Sequence, residues 1–317
     1  MKKLLSLVLT LMLALSMLAA PTLAEEEPLQ VYGISVMSGG AAWGRFEDGF
    51  MDACEELGYE GHYLAPANPN DYTSMVQLCE TALNNGADAL LVAVTEPTLF
   101  QDVLTRAIEQ NVVVIGVAAG LEGYTECLVG TDPVSLGENT AIALVDLAAG
   151  EQINVAVGQT RLADANQNVQ VDAFIAKLSE LDPNAVIVDR FECNSSASVS
   201  ADRLSALYVA NPELNACVSF DSYVGVGAAS FVGDYGIQDS FIALGIDDGA
   251  EVLTAVKSGN LDATIAQQWY KIGQESVYCV ERSLAGEELE YNQGIETVII
   301  YPEDVDAHAE ENGIVLE

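Results

Sequence analysis

The sequence predicts an α/β protein made of two Rossmann-like lobes, each with a parallel sheet. Short apolar runs alternate with helix-patterned segments along the chain, which is the order typical of strand–helix–strand units. The alternation runs from Val31 to Gly130 and begins again at Val134, so two sets of similar size follow one another. Roughly 290 residues remain after the N-terminal leader, more than one hydrophobic core usually spans.

The elements of the first set are bounded by residues that begin or end helices. Gly58 follows the first predicted helix, Asp71 is placed to cap the second, and Pro97 occupies the first position of the third. The predicted strands between them are short apolar runs, which suit a buried parallel sheet. They comprise residues 31–36, 62–64, 89–94, 112–117 and 128–130, and the first helix comprises residues 43–57.

The second set repeats this order. The predicted helices are 134–149, 169–181, 199–210, 223–235 and 250–257, and the strands are 153–157, 186–191, 217–220, 241–246 and 263–266. A helix at 270–285 and a last strand at 296–300 complete the prediction. Asp247 and Gln267 directly follow two of the strands. Ligands of open α/β sheets bind outside the carboxyl ends of the strands, so these residues are candidates for binding.

Residues 1–24 predict a secretory signal peptide. Two lysines precede the uncharged apolar run Leu4–Leu18, and Thr22–Ala24 offers small residues at a cleavage site. The run is short for a membrane span, and no cysteine precedes Cys54 to accept a lipid. We therefore expect a soluble periplasmic or extracellular protein that begins near Glu25.

The formal net charge of the chain is −37. A chain of this charge repels nucleic acid and anionic membrane surfaces, so we expect neither as a partner. The glycines after the first strand lack the lysine of a phosphate-binding loop. We expect no cofactor and a monomeric protein.

The six cysteines have no CxxC spacing and no histidine partners in the sequence, so no metal site is predicted. An exported chain permits disulfides. However, Cys54 and Cys79 fall on helices that are expected to lie on opposite faces of the first sheet. We therefore predict mainly buried free thiols, and structural roles for His62 and His308.

Residues 241–272 carry a resemblance to a known family. Gly245–Asp247, the turn Ser258–Gly259 and the segment Ala263–Gln267 resemble the motifs of ribose-type periplasmic sugar-binding proteins, the type I solute-binding proteins of ABC importers. The resemblance extends over nearly the whole mature chain. It implies a periplasmic binding protein type I fold with a three-segment hinge, crossed near Asp132, near Gln267–Gln268 and near Gly294.

The resemblance also implies the lobes and the function. The N-terminal lobe comprises residues 25–131 and 268–293, and the C-terminal lobe comprises residues 132–267 and 294–317. The expected function is capture of a small sugar or polyol by hinge closure, for delivery to the membrane subunits of an ABC transporter. The same fold could instead present a signal, such as a furanosyl autoinducer, to a chemoreceptor or sensor kinase. Reading Asp221 and Asp247 as a glycosidase pair is a distant third alternative.

A sugar site combines an aromatic plate for the C–H faces with carboxylates and amides for the hydroxyls. The resemblance assigns hydroxyl contacts to Asp221, Asp247 and Gln267. It assigns stacking to Trp43, which follows an open loop with nothing else large in it, although this ring could instead pack under the loop. Each of the two aspartates could instead cap the helix that follows it. Asp248 is expected to face solvent or the backbone.

The chain departs from the family pattern at several positions. Asn168, with Gln167 beside it, stands where the family usually has an arginine, and Ala118–Ala119 replaces an Asp-Arg pair. Asn194 replaces an aromatic residue. Glu96 either adds a carboxylate or caps a helix, and Trp269 either shields the cleft or packs in the hinge. These departures remove two arginines and one ring from the family's site, so we expect neither an anionic sugar nor ribose or galactose held in the family's usual way. These residues complete the predicted binding set: Trp43, Glu96, Gln167, Asn168, Asn194, Asp221, Asp247 and Gln267.

Overall fold

The computed structural model describes residues 27–39 and 41–316, so the predicted signal peptide lies outside the described residues. The strands are β1 (Gln30–Ile34), β2 (Glu60–Leu64), β3 (Ala89–Val92), β4 (Val113–Val117), β5 (Cys127–Thr131), β6 (Asn154–Gln159), β7 (Val186–Glu192), β8 (Ala216–Ser219), β9 (Ile242–Ile246), β10 (Ala263–Ala266), β11 (Asn292–Ile295) and β12 (Val298–Ile300). The helices are α1 (Ala41–Leu57), α2 (Tyr72–Asn84), α3 (Pro97–Glu109), α4 (Pro133–Ala148), α5 (Ala165–Leu181), α6 (Ala197–Ala210), α7 (Ser222–Tyr235), α8 (Ala250–Lys257), α9 (Trp269–Leu284) and α10 (Val305–Glu311).

These elements form two six-stranded sheets. The strand order is β11-β5-β4-β3-β1-β2 in the first sheet and β12-β10-β9-β8-β6-β7 in the second. The first sheet is parallel throughout, and in the second only the edge strand β12 is antiparallel, pairing with β10. Helices cover both faces of each sheet, which buries the apolar strands between two layers. The predicted two-lobed α/β architecture is confirmed.

Local signals fix several helix starts. Asp71 accepts a hydrogen bond from Ser74 N at 3.0 Å, as expected of an N-cap, and Pro97 begins α3. Helix α5 begins at Ala165, earlier than the predicted Val169, because Asp164 caps it through Gln167 N at 2.9 Å. The first turn of α5 is polar, so the spacing of apolar residues did not indicate that the helix begins there.

The chain passes between the two sheets at three places: after β5, after β10 and between β11 and β12. The sequence predicted one strand over residues 296–300. The structure instead has two short strands, with β11 beside β5 in the first sheet and β12 beside β10 in the second.

Close contact between α1 and α9 places α9 on the first sheet, although β10 before it belongs to the second. Gly49 of α1 and Gly273 of α9 allow this approach. A Cβ atom on Gly49 would collide with the carbonyl oxygen of Tyr270, and one on Gly273 would collide with that of Phe46.

All six cysteines lie in the described part of the chain and are buried free thiols, as predicted. Cys79 packs in the core on one face of the first sheet and Cys54 in the core on the other. Among the described residues, no helix is both long enough and apolar enough to cross a bilayer.

Candidate functional site

The carboxyl ends of three neighbouring strands, β8, β9 and β10, are followed by Asp221, Asp247 and Gln267. Gln267 Nε2 donates to Asp247 Oδ1 at 2.6 Å, and Gln267 Oε1 accepts from Thr131 Oγ1 at 2.6 Å. Ser222 Oγ donates to the second oxygen of the Asp247 carboxylate. One chain of hydrogen bonds therefore runs from the first lobe, through the crossing after β10, into the second lobe.

The backbone of Asp247 leaves the extended strand conformation and has a left-handed φ of 69°. Desolvation raises the pKa of its carboxyl, and the neighbouring Asp248 and Asp221 carboxylates add to the increase. The hydrogen bonds from Ser222 and Gln267 oppose it. An ionised carboxylate has about four acceptor positions, so two remain unused after these bonds.

Asp221 caps helix α7, accepting from Tyr223 N at 2.8 Å. Thr160 Oγ1 also donates to it, and Cys193 Sγ lies 3.3 Å from its Oδ1. Gln167 belongs to the same cluster, with Nε2 donating to Thr160 Oγ1 at 2.7 Å and to Phe220 O at 2.8 Å. Both predicted residues are thus engaged with protein atoms.

Asn168 belongs to a separate cluster around Arg190 of β7. Arg190 Nη2 donates to Asn168 Oδ1 at 2.7 Å and to Gln159 Oε1 at 2.6 Å. Asn168 Nδ2 donates to Leu162 O at 3.0 Å. The pairing of β7 with β6 brings this arginine to Asn168, so no local pattern in the sequence could have indicated it.

The sequence suggested that no other large side chain lies near Trp43, but the structure places two aromatic rings beside it. It lies in the first turn of α1, half-buried, and its ring centroid is 5.2 Å from that of Trp269 with the planes tilted by 48°. The edge of Phe46 contacts it at 5.5 Å between centroids. Trp269 begins α9, which returns it to the first lobe and to Trp43.

Glu96 and Asn194 are both exposed and line neither of the two cavities described below. Glu96 occupies the N-cap position of α3 but its side chain makes no capping hydrogen bond. Asn194 has a φ of 52°, and its backbone N–H donates to Thr160 O at 3.1 Å. Neither residue is brought to Asp247.

Two cavities between the lobes share Gln267 and Trp269 in their walls. The first cavity, of about 780 Å³, lies between residues of α1 and α9 in the first lobe and residues of the C-terminal segment in the second. The second cavity, of about 570 Å³, lies between the ends of β4 and β5, the segment 292–294, and the starts of α4 and α5. Within the described chain, Asp132 is the one charged residue in its lining, and its carboxylate caps α4.

Gln170 of α5 lines the second cavity and was not foreseen from the sequence. It is 8% exposed, yet its side-chain amide has no hydrogen-bond partner in residues 27–39 and 41–316. Over the same residues, Arg106 Nε is the one unpaired side-chain atom fully sealed from solvent, so the Gln170 amide retains some contact with solvent. Asn166 stands one turn earlier on the same face of α5 and lines the same cavity. The four-residue spacing of these two amides was the pattern in the sequence that could have indicated a shared polar face of α5.

Asp248 does not face solvent, which corrects the expectation from the sequence. It is 8% exposed, and His308 Nε2 lies 2.9 Å from its Oδ2. Helix α10 packs against α8, which brings the two residues together from positions far apart in the chain.

The sequence model of the periplasmic binding protein domain matches residues 32–288. The chain belongs to the periplasmic binding protein family. The family consists of binding proteins, and membership confirms both the resemblance seen in the sequence and the predicted type I fold class.

This periplasmic binding protein is similar to two characterised relatives. It is 23% identical over 249 residues to the D-allose-binding periplasmic protein of Escherichia coli strain K12, covering 73% of this chain and 76% of that protein. It is 22% identical over 223 residues to the ribose import binding protein RbsB of Bacillus subtilis strain 168, covering 70% and 71%. The arabinose binding protein AraP from Geobacillus stearothermophilus shares the fold, with a TM-score of 0.80 at 20% identity over 88% of this chain and 99% of that chain.

Proposed function

We propose that this protein is the solute-binding component of a sugar ABC importer and captures a small, uncharged sugar or polyol between its lobes. The observation that carries the proposal is the unpaired, buried amide of Gln170, which borders the same cavity as the Trp269 indole. The names of the allose- and ribose-binding relatives support a sugar as the ligand class.

The chemistry of the second cavity favours a neutral polyhydroxylated ligand. Side-chain amides donate and accept at once, which matches the two-way hydrogen bonding of a hydroxyl group. The indole of Trp269 offers an apolar face to the C–H side of a sugar ring. Since Asp132 supplies the only charge in the described lining, an anionic sugar gains no ion pair there.

Asp247 and Gln267 remain in the proposed site. Gln267 lines the cavity, and Asp247 contacts it directly while retaining free acceptor positions. Trp43 lines neither cavity and contributes by packing against the Trp269 ring. Asp221, Gln167 and Asn168 contribute mainly by shaping the second lobe through their internal hydrogen bonds, and Glu96 and Asn194 are left out of the proposed site.

Capture follows from the division of the site between lobes. Gln170 and Asp247 belong to the second lobe, whereas Trp43 and Trp269 pack on the first. A ligand that contacts both sets favours the closed form by its differential affinity, with the three crossings serving as the hinge. The membrane subunits of the transporter then recognise the closed form. No catalytic step is involved.

Titration calorimetry with neutral pentoses, hexoses and polyols, beside a sugar phosphate and a uronate, tests the proposal. We expect a neutral ligand to bind and the anions to bind weakly. Gln170→Ala should then lower the affinity by roughly 2- to 10-fold, the worth of one hydrogen bond. Gln238→Ala, which removes an exposed glutamine of the second lobe, is the matched control. Binding of no neutral ligand contradicts the function, whereas binding unaffected by Gln170→Ala contradicts the site.

A further inference from the structure

A polar contact joins the lobes across the first cavity. Arg45 lies on α1 of the first lobe and Asn312 follows α10 of the second, and Arg45 Nη2 donates to Asn312 Oδ1 at 2.9 Å. Both residues line the first cavity, and neither lines the second, where we place the ligand. The contact is therefore separate from the ligand-lining residues.

Arg45 is held in position by its own lobe. Its Nη1 donates to Asp48 Oδ2 at 3.1 Å, one turn along α1. Its guanidinium group lies 5.1 Å from the centroid of the Tyr270 ring, a cation–π arrangement. Tyr270 is itself tied to α1, since its hydroxyl donates to Asp52 Oδ2 at 2.7 Å. Little side-chain freedom is left for Arg45 to lose when it meets Asn312.

Asn312 is equally constrained by the second lobe. It is the C-cap residue of α10, and its Nδ2 donates to His308 O at 2.9 Å. The His308 ring is fixed in turn by the buried Asp248, with 2.9 Å between Nε2 and Oδ2. Two residues after Asn312, Ile314 N donates to Ala309 O at 2.8 Å, and the Ile314 side chain packs against the second-lobe core.

We propose that Arg45 and Asn312 form a latch that sets the fraction of ligand-free molecules in the closed form. A charge-assisted hydrogen bond between two pre-oriented groups favours the arrangement in which they meet. Rotation about the hinge that separates the lobes must break it, because the two residues are anchored on different lobes. The apparent affinity for a ligand scales with the closed fraction, so the latch tunes capture.

The role of the latch in capture rests on the proposed function, but its existence is tested on the protein without ligand. Arg45→Ala and Asn312→Ala should each move the open-to-closed ratio roughly ten- to a hundredfold toward open, the worth of a hydrogen bond to a charged group. Small-angle X-ray scattering should record this as a larger radius of gyration. Arg203→Ala removes the same charge from the exposed face of α6 and should leave the scattering unchanged.

The double variant distinguishes a latch from two independent disturbances. If the residues act through one contact, the double variant should open no further than either single variant. Full additivity of the two effects, or scattering identical to wild type in both single variants, would overturn the latch. Asn312→Ala alone keeps the test available if Arg45→Ala fails to fold, because Asn312 lies outside the cores of both lobes.

Discussion

The side-chain amide of Gln267 donates to the Asp247 carboxylate at 2.6 Å and accepts from Thr131 Oγ1 at 2.6 Å. One residue therefore satisfies polar groups of both lobes at a point where the chain crosses between them. Removing it leaves Thr131 Oγ1 and Asp247 Oδ1, on two half-buried residues, without this partner. A polar atom left unpaired costs more than the bond itself contributes.

Gln267→Ala should accordingly lower the free energy of unfolding by about 1–3 kcal/mol. Urea titration followed by circular dichroism measures the change. Gln238→Ala, an exposed glutamine away from the hinge, should change it by less than about 0.5 kcal/mol. Equal effects of the two substitutions would contradict the bridging role of Gln267.

Lowering the pH should stabilise the wild-type protein relative to Asp247→Asn. Desolvation raises the pKa of the Asp247 carboxyl, with Asp248 and Asp221 adding to the increase. The folded protein thus takes up this proton at a higher pH than the unfolded chain. The resulting stability is fully present below the unfolded pKa and is lost as pH rises through the folded pKa. Urea titrations at about pH 7 and about pH 4 measure the difference, and a gap between the proteins that is independent of pH refutes the assignment.

Gly49→Ala should severely destabilise the first lobe. The added methyl group collides with the Tyr270 carbonyl oxygen, so α1 and α9 must separate, at a cost of roughly 1–3 kcal/mol or more. Gly44→Ala is the control within the same helix. Its Cβ would meet nothing closer than 3.6 Å, so the gain in helix propensity should leave it neutral or stabilise it by about 0.5–1 kcal/mol. Comparable losses in both variants are inconsistent with the packing described.

The intrinsic fluorescence of the protein should report ligand binding. The chain has two tryptophans, Trp43 and Trp269, and their rings are 5.2 Å apart. A sugar that stacks in the second cavity changes the surroundings of this pair, so emission should shift with the same midpoint as the calorimetric titration. Trp269→Phe should reduce the signal while keeping an aromatic face. A calorimetrically bound ligand that leaves emission unchanged places the site away from these rings.

Thiol titration of the denatured protein without reductant should count six free thiols, whereas the native protein should react slowly. Burial raises the pKa of Cys54, Cys79 and Cys217 to about 12, so little of the reactive thiolate forms near neutral pH. A count of four or fewer would reveal a disulfide. Rapid labelling of the native protein would contradict the burial of the thiols.

Much of this fold is encoded in local sequence. The bounds of α8 and β10 agree with the prediction residue for residue, because apolar periodicity and Gly259 define them without reference to the rest of the chain. Asp71 and Pro97 start their helices through hydrogen bonding and backbone restriction within one turn. The alternation of short apolar runs with helical segments was sufficient for the fold class, since strands that alternate with helices along a chain form parallel sheets covered on both faces.

Tertiary structure decided what depends on packing between distant segments. The segment Asn292–Ile295 has no apolar period and becomes a strand only because the edge of β5 offers its hydrogen bonds. Gln170 faces the second cavity because α5 packs closely on α4, which sets the rotation of the helix about its axis. The pairing of Asp248 with His308 likewise depends on α10 docking against α8. Periodicity indicates which residues are apolar, but only packing determines where each polar side chain of a helix points.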